Sequence, residues 1–529
     1  MADANDGGLS LQLAVVWSLL IVTVVCAFFL QRYRVHICPP SSAAMLLGMV
    51  FGFFVRLVFK KKQLLSFSPS IFFYGLLPPI VLSAGFNLKK RNFFKNFGSI
   101  MLFAVLGTII STLVFGLMTY LLMVIGLVQR HSLGDNALVL SLLYGSLISA
   151  IDPVATLAVF ADIEVPSLLY NLVFGESVLN DAVAIVLFNT FEDFYETPVT
   201  ATTIPLMIWR FVYIFIGSAV IGVAVSLPAA FVLKRFQLSG MSGGPSFDGT
   251  LYEIAILFMD AYMAYLASEA AGMSGIASLF MAGICHAHYS YYSVHEDSKT
   301  TVKKSMEAAA FLAETFLFAY LGMQVFMFNH VLDWGLLLSG IPLCLLSRAA
   351  NIFPCARLAN MGRAVKIPKP SQCMQWAVGL RGAVSYGLVV HLPTLKHGQE
   401  RYGNPAIETA TLFIVCTSTL VLGGSTVHLL RYFKLDGESA ANDQTIAGTR
   451  EKGGLHLAWK SFDRQYLKPV FGGRDSGSLP GSSAPGLLSR LQSGETGTAA
   501  SINGYDDNEH HVEYQELGGQ LSHDVPSTP

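Results

Sequence analysis

The amino-acid sequence predicts an all-α polytopic membrane protein of about 13 transmembrane helices, arranged as two inverted six-helix repeats with crossed broken helices at spans 5 and 12. Three observations carry that expectation. Of 529 residues only 13% are charged and 53% are hydrophobic, and the mean hydropathy is +0.52. A soluble domain carries roughly 25% charged residues, so lipid is the solvent this composition fits. Apolar runs of about 20 residues, enough to cross a bilayer, recur along the chain with polar punctuation between them. Two of those runs are interrupted by glycine or proline next to a charge, at matching places in the two halves of the chain.

In order, the runs are Leu11–Leu30, Ala43–Phe59, Ser70–Phe86, Phe97–Leu127, Ala137–Phe160 and Leu168–Phe191, then the long Ile204–Leu233. The second half supplies Thr250–Glu269, Ser274–His288, Ser305–Phe328, Trp334–Leu358, Cys373–Leu392 and Ile407–Leu430. Residues 1–10 hold two aspartates and no basic residue, unlike the n-region of a cleaved signal peptide, so the first run is expected to stay as a helix. An odd span count puts the termini on opposite sides. Basic residues at Lys89, Lys90, Arg91, Lys234, Arg235, Lys299, Lys303, Arg357 and Arg363 gather on the side of the C-terminus, which the positive-inside rule makes cytosolic and the N-terminus lumenal. The Lys60–Lys62 run is the loop that disagrees.

The membrane domain is expected over residues 1–433. Beyond it, residues 434–529 read as a largely disordered cytosolic tail, because Gly473–Pro485 and Asp506–Pro529 hold few large apolar residues to offset ordering entropy. Tyr514-Gln515-Glu516-Leu517 fits a short tyrosine-based signal for a sorting adaptor. The net charge of −1 and the lack of a basic cluster with interleaved aromatics exclude a nucleic-acid partner. The seven cysteines have no CxxC spacing and read as packed thiols; no cofactor is implied.

Ionisable groups within spans are costly and mark either a cavity or a partner. Arg56, Arg210 and Glu269 sit near span ends, where snorkelling suffices. Glu253 and Asp260, on one helical face, read as structural contacts rather than transport groups. The interrupted spans read Ser149-Ala150-Ile151-Asp152-Pro153-Val154-Ala155 and Gly379-Leu380-Arg381-Gly382-Ala383-Val384-Ser385. Broken helices leave partial charges at their ends deep in low dielectric. Asp152 is placed to compensate the positive ends and Arg381 the negative ones.

The sixth span carries the strongest motif, Phe174-Gly175-Glu176-Ser177-Val178-Leu179-Asn180-Asp181-Ala182-Val183. A buried Glu176 needs a cation, and Arg348 in the eleventh span is the available one. That leaves Asp181 without a structural partner, with Asn180 and Asp152 as candidate companions in binding. A desolvated carboxylate is stabilised by a proton or by a metal cation. Mutually exclusive occupancy of one such group by H⁺ and by Na⁺ or K⁺ is the chemistry of an antiporter.

These residues resemble the sodium/proton exchanger family. Asn180-Asp181 is similar to the Asn-Asp pair that marks its electroneutral members, and the two interrupted spans match its crossover segments. The stretch holding Phe72, Phe73, Leu76, Pro78 and Pro79 resembles the family's amiloride-linked region. The resemblance covers roughly Ser70 to Leu430. Gly98–Val105, Ser146–Ala155 and Arg348–Pro354 are most similar to the Golgi, isoform-eight-like branch. It implies a homodimer in a Golgi or endosomal membrane, with the plasma membrane as the alternative, transporting Na⁺ or K⁺ against H⁺ and regulating lumenal pH.

Two rivals differ in class. Gly272-Met273-Ser274-Gly275, with His286 and His288 downstream, matches the pattern of an intramembrane serine protease, but 47 glycines make that pattern cheap. A cation channel would also place charges in spans. The pair of broken helices and one titratable site favour a carrier.

Overall fold

Inside a bilayer each backbone polar group must be satisfied within the protein, which is why apolar runs become helices. In the computed structural model of the chain, the described residues are 2–33, 38–59, 71–88, 90–129, 136–152, 154–163, 165–195, 202–236, 249–327, 330–363, 365–390, 392–396, 399–402, 404–435 and 461–471. Pro153, Lys60–Lys62 and Tyr514–Leu517 lie outside them.

Helices α1 (Ala2–Arg32), α2 (Pro40–Phe59) and α3 (Phe72–Phe86) come first, followed by the short α4 (Lys90–Lys95) and the long α5 (Phe97–Ile125). The predicted fifth span is split into α6 (Ala137–Ser149) and α7 (Val154–Ile163). Then come α8 (Ser167–Asp193), α9 (Thr203–Phe236), α10 (Gly249–Ala270), α11 (Gly275–His288), α12 (Glu296–Met327) and α13 (Trp334–Gly362). The predicted twelfth span is likewise split, into α14 (Lys369–Ala377) and α15 (Ala383–Val389), before α16 (Pro405–Tyr432). Among the described residues nine helices are long and apolar enough to cross a membrane: α1, α2, α5, α8, α9, α10, α12, α13 and α16. The remaining four predicted spans, the third, fifth, ninth and twelfth, are the short or broken ones, so length alone does not yield a count of thirteen.

Three features depart from the sequence-based expectation. Helix α12 starts at Glu296, nine residues ahead of the expected Ser305, because its charged first turns continue the helix beyond the apolar stretch. A two-stranded antiparallel hairpin, Pro393–Lys396 with Gln399–Tyr402, joins α15 to α16. Within the expected tail, residues 461–471 form helical turns that pack on α9 and α11.

The helices fall into two groups by their packing. In one, α1–α3 pack with α9–α12; in the other, α5–α8 pack with α13–α16. Each half of the sequence thus gives its first three spans to one group and its last three to the other, as a duplicated six-span unit predicts. Lipid offers no hydrophobic drive for helices to associate, so close backbone approach carries the seams. Along α2 and α12, a side chain at Gly52 would lie 2.7 Å from the Met323 carbonyl, and one at Gly48 or Gly322 would overlap the facing backbone.

Candidate functional site at the helix crossing

The two interruptions meet. The Asp152 N–H donates to the Leu380 carbonyl at 3.0 Å, so the extended residues of one broken helix are bonded to those of the other. Asp152 lies against the α-carbon of Gly382, where a side chain would come 2.5 Å from its carboxylate oxygen; only glycine admits this approach. Arg381, 1% exposed, donates from Nη1 to the Ser149 carbonyl at 3.1 Å and the Ala150 carbonyl at 3.5 Å. These are the last carbonyls of α6, the negative end that a cation compensates. Its own N–H donates to the Ser418 hydroxyl at 3.1 Å.

Helix α8 runs past this crossing, and its residues divide their work by face. Ser177 donates to the Ile151 carbonyl at 2.5 Å, and Asn180 Oδ1 accepts the Ile151 N–H at 3.0 Å. Asn180 Nδ2 donates to the Thr108 hydroxyl at 2.6 Å. Both ends of the fully buried Asn180 amide are therefore occupied by protein, at the place where the sequence suggested an ion ligand. One turn earlier, Glu176 is 1% exposed and Arg348 is 3% exposed, and they form a bidentate pair: Nη1 bonds Oε1, and Nη2 bonds Oε2 at 3.1 Å. Gln375 Nε2 adds a third bond to Glu176 at 2.7 Å, and the Gln375 carbonyl accepts from Arg348 at 2.9 Å. The sequence pairs Glu176 with Arg348 but gives no sign of Gln375, whose chemistry signals nothing until α14 is placed.

Asp181 differs. It keeps partial exposure, and its Oδ1 is buried with no hydrogen-bond partner among the described residues. Asp152 is close enough for its charge to act on Asp181, and also on Glu314 of α12 in the other helix group. Three acidic side chains from three elements thus converge on the crossing.

Wide π turns mark where the long helices meet this centre. One at Leu102–Gly107 precedes Thr108, and another at Ser418–Leu422 supplies the Ser418 hydroxyl. A third, Phe72–Leu76, lies in the stretch with Phe72, Phe73, Leu76, Pro78 and Pro79. Pro78 has no N–H for the carbonyl one turn back. The Tyr262 hydroxyl donates to that Tyr74 carbonyl at 2.5 Å, and Tyr265 donates to the Phe73 carbonyl at 3.0 Å. The Phe72 ring sits over the α-carbon of Gly387 in α15, so this stretch touches the second broken helix.

The other charged candidates are occupied elsewhere. Glu253 accepts the His295 N–H at 3.2 Å, and Asp260 stands 3.1 Å from His286. Glu269 accepts the Gly275 N–H at 2.8 Å, and Arg56 donates to the Phe326 carbonyl at 2.8 Å. Arg210 pairs with Asp193 at 2.8 Å. Ser274 caps α11, its side chain accepting from the Ala277 N–H at 3.3 Å. His286 lies twelve residues on, about 18 Å along the same helix, so no Ser–His dyad forms there.

Residues 19–432 match the family model described as sodium/hydrogen exchanger, transmembrane. The chain is 37% identical over 478 residues to sodium/hydrogen exchanger 8 of Rattus norvegicus, spanning 86% of this chain and 80% of that one. Against sodium/hydrogen exchanger 9 of Mus musculus it is 36% identical over 429 residues, spanning 77% and 64%. In fold it is similar to the sodium proton antiporter MjNhaP1 from Methanocaldococcus jannaschii at pH 8. The TM-score is 0.58 at 16% identity, over 81% of this chain and 99% of that one.

Proposed function

The chain belongs to the sodium/hydrogen exchanger family, and from that premise we propose that it exchanges Na⁺ or K⁺ for H⁺ at Asp181 by alternating access. The observation that carries this reading is the contrast on α8: Glu176 is held by three side-chain hydrogen bonds, while Asp181 faces the crossing with an unpartnered oxygen. A proton or a monovalent cation completes Asp181, and one displaces the other. Asp152 contributes negative charge beside the ion. Asn180 and Ser177 act as positioning residues, holding Ile151, and with it the first break, against α8.

Charge accounting makes the cycle electroneutral. Asp152 and Arg381 serve the helix ends at the crossing and keep their charge through the cycle, and Asp181 is the group that exchanges proton for cation. One cation enters as one proton leaves, and the loaded carrier is the same charge both ways. A voltage then does no work, whereas one net charge moved would feel about 2.3 kcal/mol per 100 mV. In an acidified Golgi or endosomal compartment such a carrier is a regulated proton leak. We place the N-terminus in the lumen and residues 434–529 in the cytosol, and expect a homodimer.

The test is Na⁺/H⁺ exchange in vesicles with a pH dye, with the membrane potential set by K⁺ and valinomycin. Exchange should saturate with the cation, run on a proton gradient alone and keep its reversal point at every potential. A reversal point that moves with voltage would remove the electroneutral cycle, and flux that never saturates would favour a channel.

A further inference from the structure

A further membrane carboxylate, Glu408 in the first turn of α16, takes no part in the exchange cycle. It is 8% exposed, and the Tyr386 hydroxyl of α15 donates to its Oε1 at 3.0 Å. Among the described residues no cationic side chain pairs with it, and Tyr386 is the one donor to its carboxylate. A first-turn acid favours a helix start, but α16 is already capped by Asn404, which accepts the Ala406 and Ile407 N–H groups at 3.2 and 3.3 Å. A buried acid is an expensive addition to that cap, whereas ionisable groups inside spans mark a partner or an ion route.

Glu408 lies at the seam between the two helix groups. The Tyr386 ring stands 6.4 Å from the Tyr320 ring of α12, inclined at 61°, so the residue that holds Glu408 touches the opposite group. Six residues before Tyr320, about 9 Å along α12, is Glu314, which the charge of Asp152 reaches. From the crossing toward the hairpin, the seam therefore carries Asp152 and Glu314 first, and Glu408 behind the Tyr320–Tyr386 contact. Because α16 starts at the end opposite residues 434–529, Glu408 stands between the crossing and the hairpin face, which is lumenal in the proposed orientation. The other titratable neighbours are Cys416, near Tyr386, and His330, 3.5 Å from the hydroxyl of Thr409.

We propose that Glu408, oriented by Tyr386, is a waypoint for monovalent cations and protons between Asp181 and the hairpin face, reached when the Tyr320–Tyr386 contact parts. The proposal rests on the reading of exchange at Asp181 by alternating access. It carries a thermodynamic signature. The field of one carboxylate acts alike on Na⁺ and on H⁺, so removing it weakens the access of both ions from the hairpin face by one factor. The two ions use that face in opposite directions of the cycle, so the losses cancel in the equilibrium and one-for-one exchange stands. A residue needed only for folding gives no such preference for one face.

The full-length protein with a C-terminal affinity tag would be reconstituted sparsely, so that each vesicle holds a single carrier. Vesicles with the tag outside are then separated from those with it inside. Initial exchange rates against external Na⁺ and against external pH give kcat/KM for each ion at each face. For E408Q, kcat/KM at the hairpin face is expected to fall about tenfold for both ions, and to stay within about twofold at the tail face. Y386F, which keeps the carboxylate but not its orienting bond, should show the same asymmetry at about threefold, and E408D should recover part of the loss. Equal losses at the two faces, or none, overturn the waypoint. Should E408Q fail to insert, the asymmetry of Y386F decides by the same criterion. If the parent exchanges nothing in either set of vesicles, the transport reading falls and the waypoint falls with it. A parent that exchanges normally beside a symmetric E408Q removes the waypoint alone.

Discussion

Glu176 and Asp181 sit five residues apart on α8, carry the same charge and share one helix, yet their surroundings are opposite. Glu176 is held by two bonds from Arg348 and one from Gln375. Asp181 has a buried oxygen with no partner and an edge left open. A carboxylate with both oxygens filled is part of the architecture; one with a buried oxygen left open is available to a ligand. The difference lies in what reaches each carboxylate from α13, α14 and the first break.

The comparison breaks most sharply at Asp181. Replacing Asp181 with Asn should abolish exchange, because an amide neither releases a proton nor balances a cation. It should leave the melting temperature nearly unchanged, since the unpartnered oxygen gives up no bond. Proton-coupled cation flux above background in a correctly inserted D181N protein would sink the assignment. Glu176 should show the reverse balance. Either E176Q or R348M strands a buried charge or donor fork, with an expected cost of about 3–5 kcal/mol by analogy with soluble proteins. The double variant should recover part of that loss. Additive losses in that double-mutant cycle, read as thermal stability in detergent, would mean the pair contributes nothing as a pair. The smallest effect is expected at Asn180. N180A leaves the Ile151 N–H without its acceptor, worth about 1–3 kcal/mol locally. It should slow exchange more than it lowers melting, and an unchanged exchange rate would remove its positioning role.

Much of this centre was legible in the sequence because membrane burial makes charges scarce. Arg348 was readable as the partner of Glu176 by elimination, and Arg381 as a cap for a helix end by its place in an interrupted span. Where Asn180 points was not legible. The π turn before Thr108 adds a residue to one turn of α5 and rotates the remainder of that helix, a shift that an ideal helical wheel omits. Gln375 was silent because its bond depends on where a nine-residue helix settles. The turns at 461–471 were unreadable for another reason: their seat is supplied by Leu227, Ala230, Cys285 and Tyr289, more than 170 residues away in sequence. The expectation of disorder rested on the composition of residues 473–485 and 506–529, whereas the apolar residues of 461–471 find their partners on α9 and α11.

The close approach of Asp152 to Gly382 also constrains how this chain can vary over generations. A methyl group at 382 meets the side chain at 152 before it meets anything that can yield, so neither position is free to drift alone. A lineage that acquires alanine at 382 must shorten or redirect residue 152, and one that enlarges residue 152 must keep 382 bare. Because the two positions stand in opposite halves of the polypeptide, their joint drift would appear as a long-range coupling with no ligand between them. The crossing is in that sense inherited as one unit, although it is encoded twice.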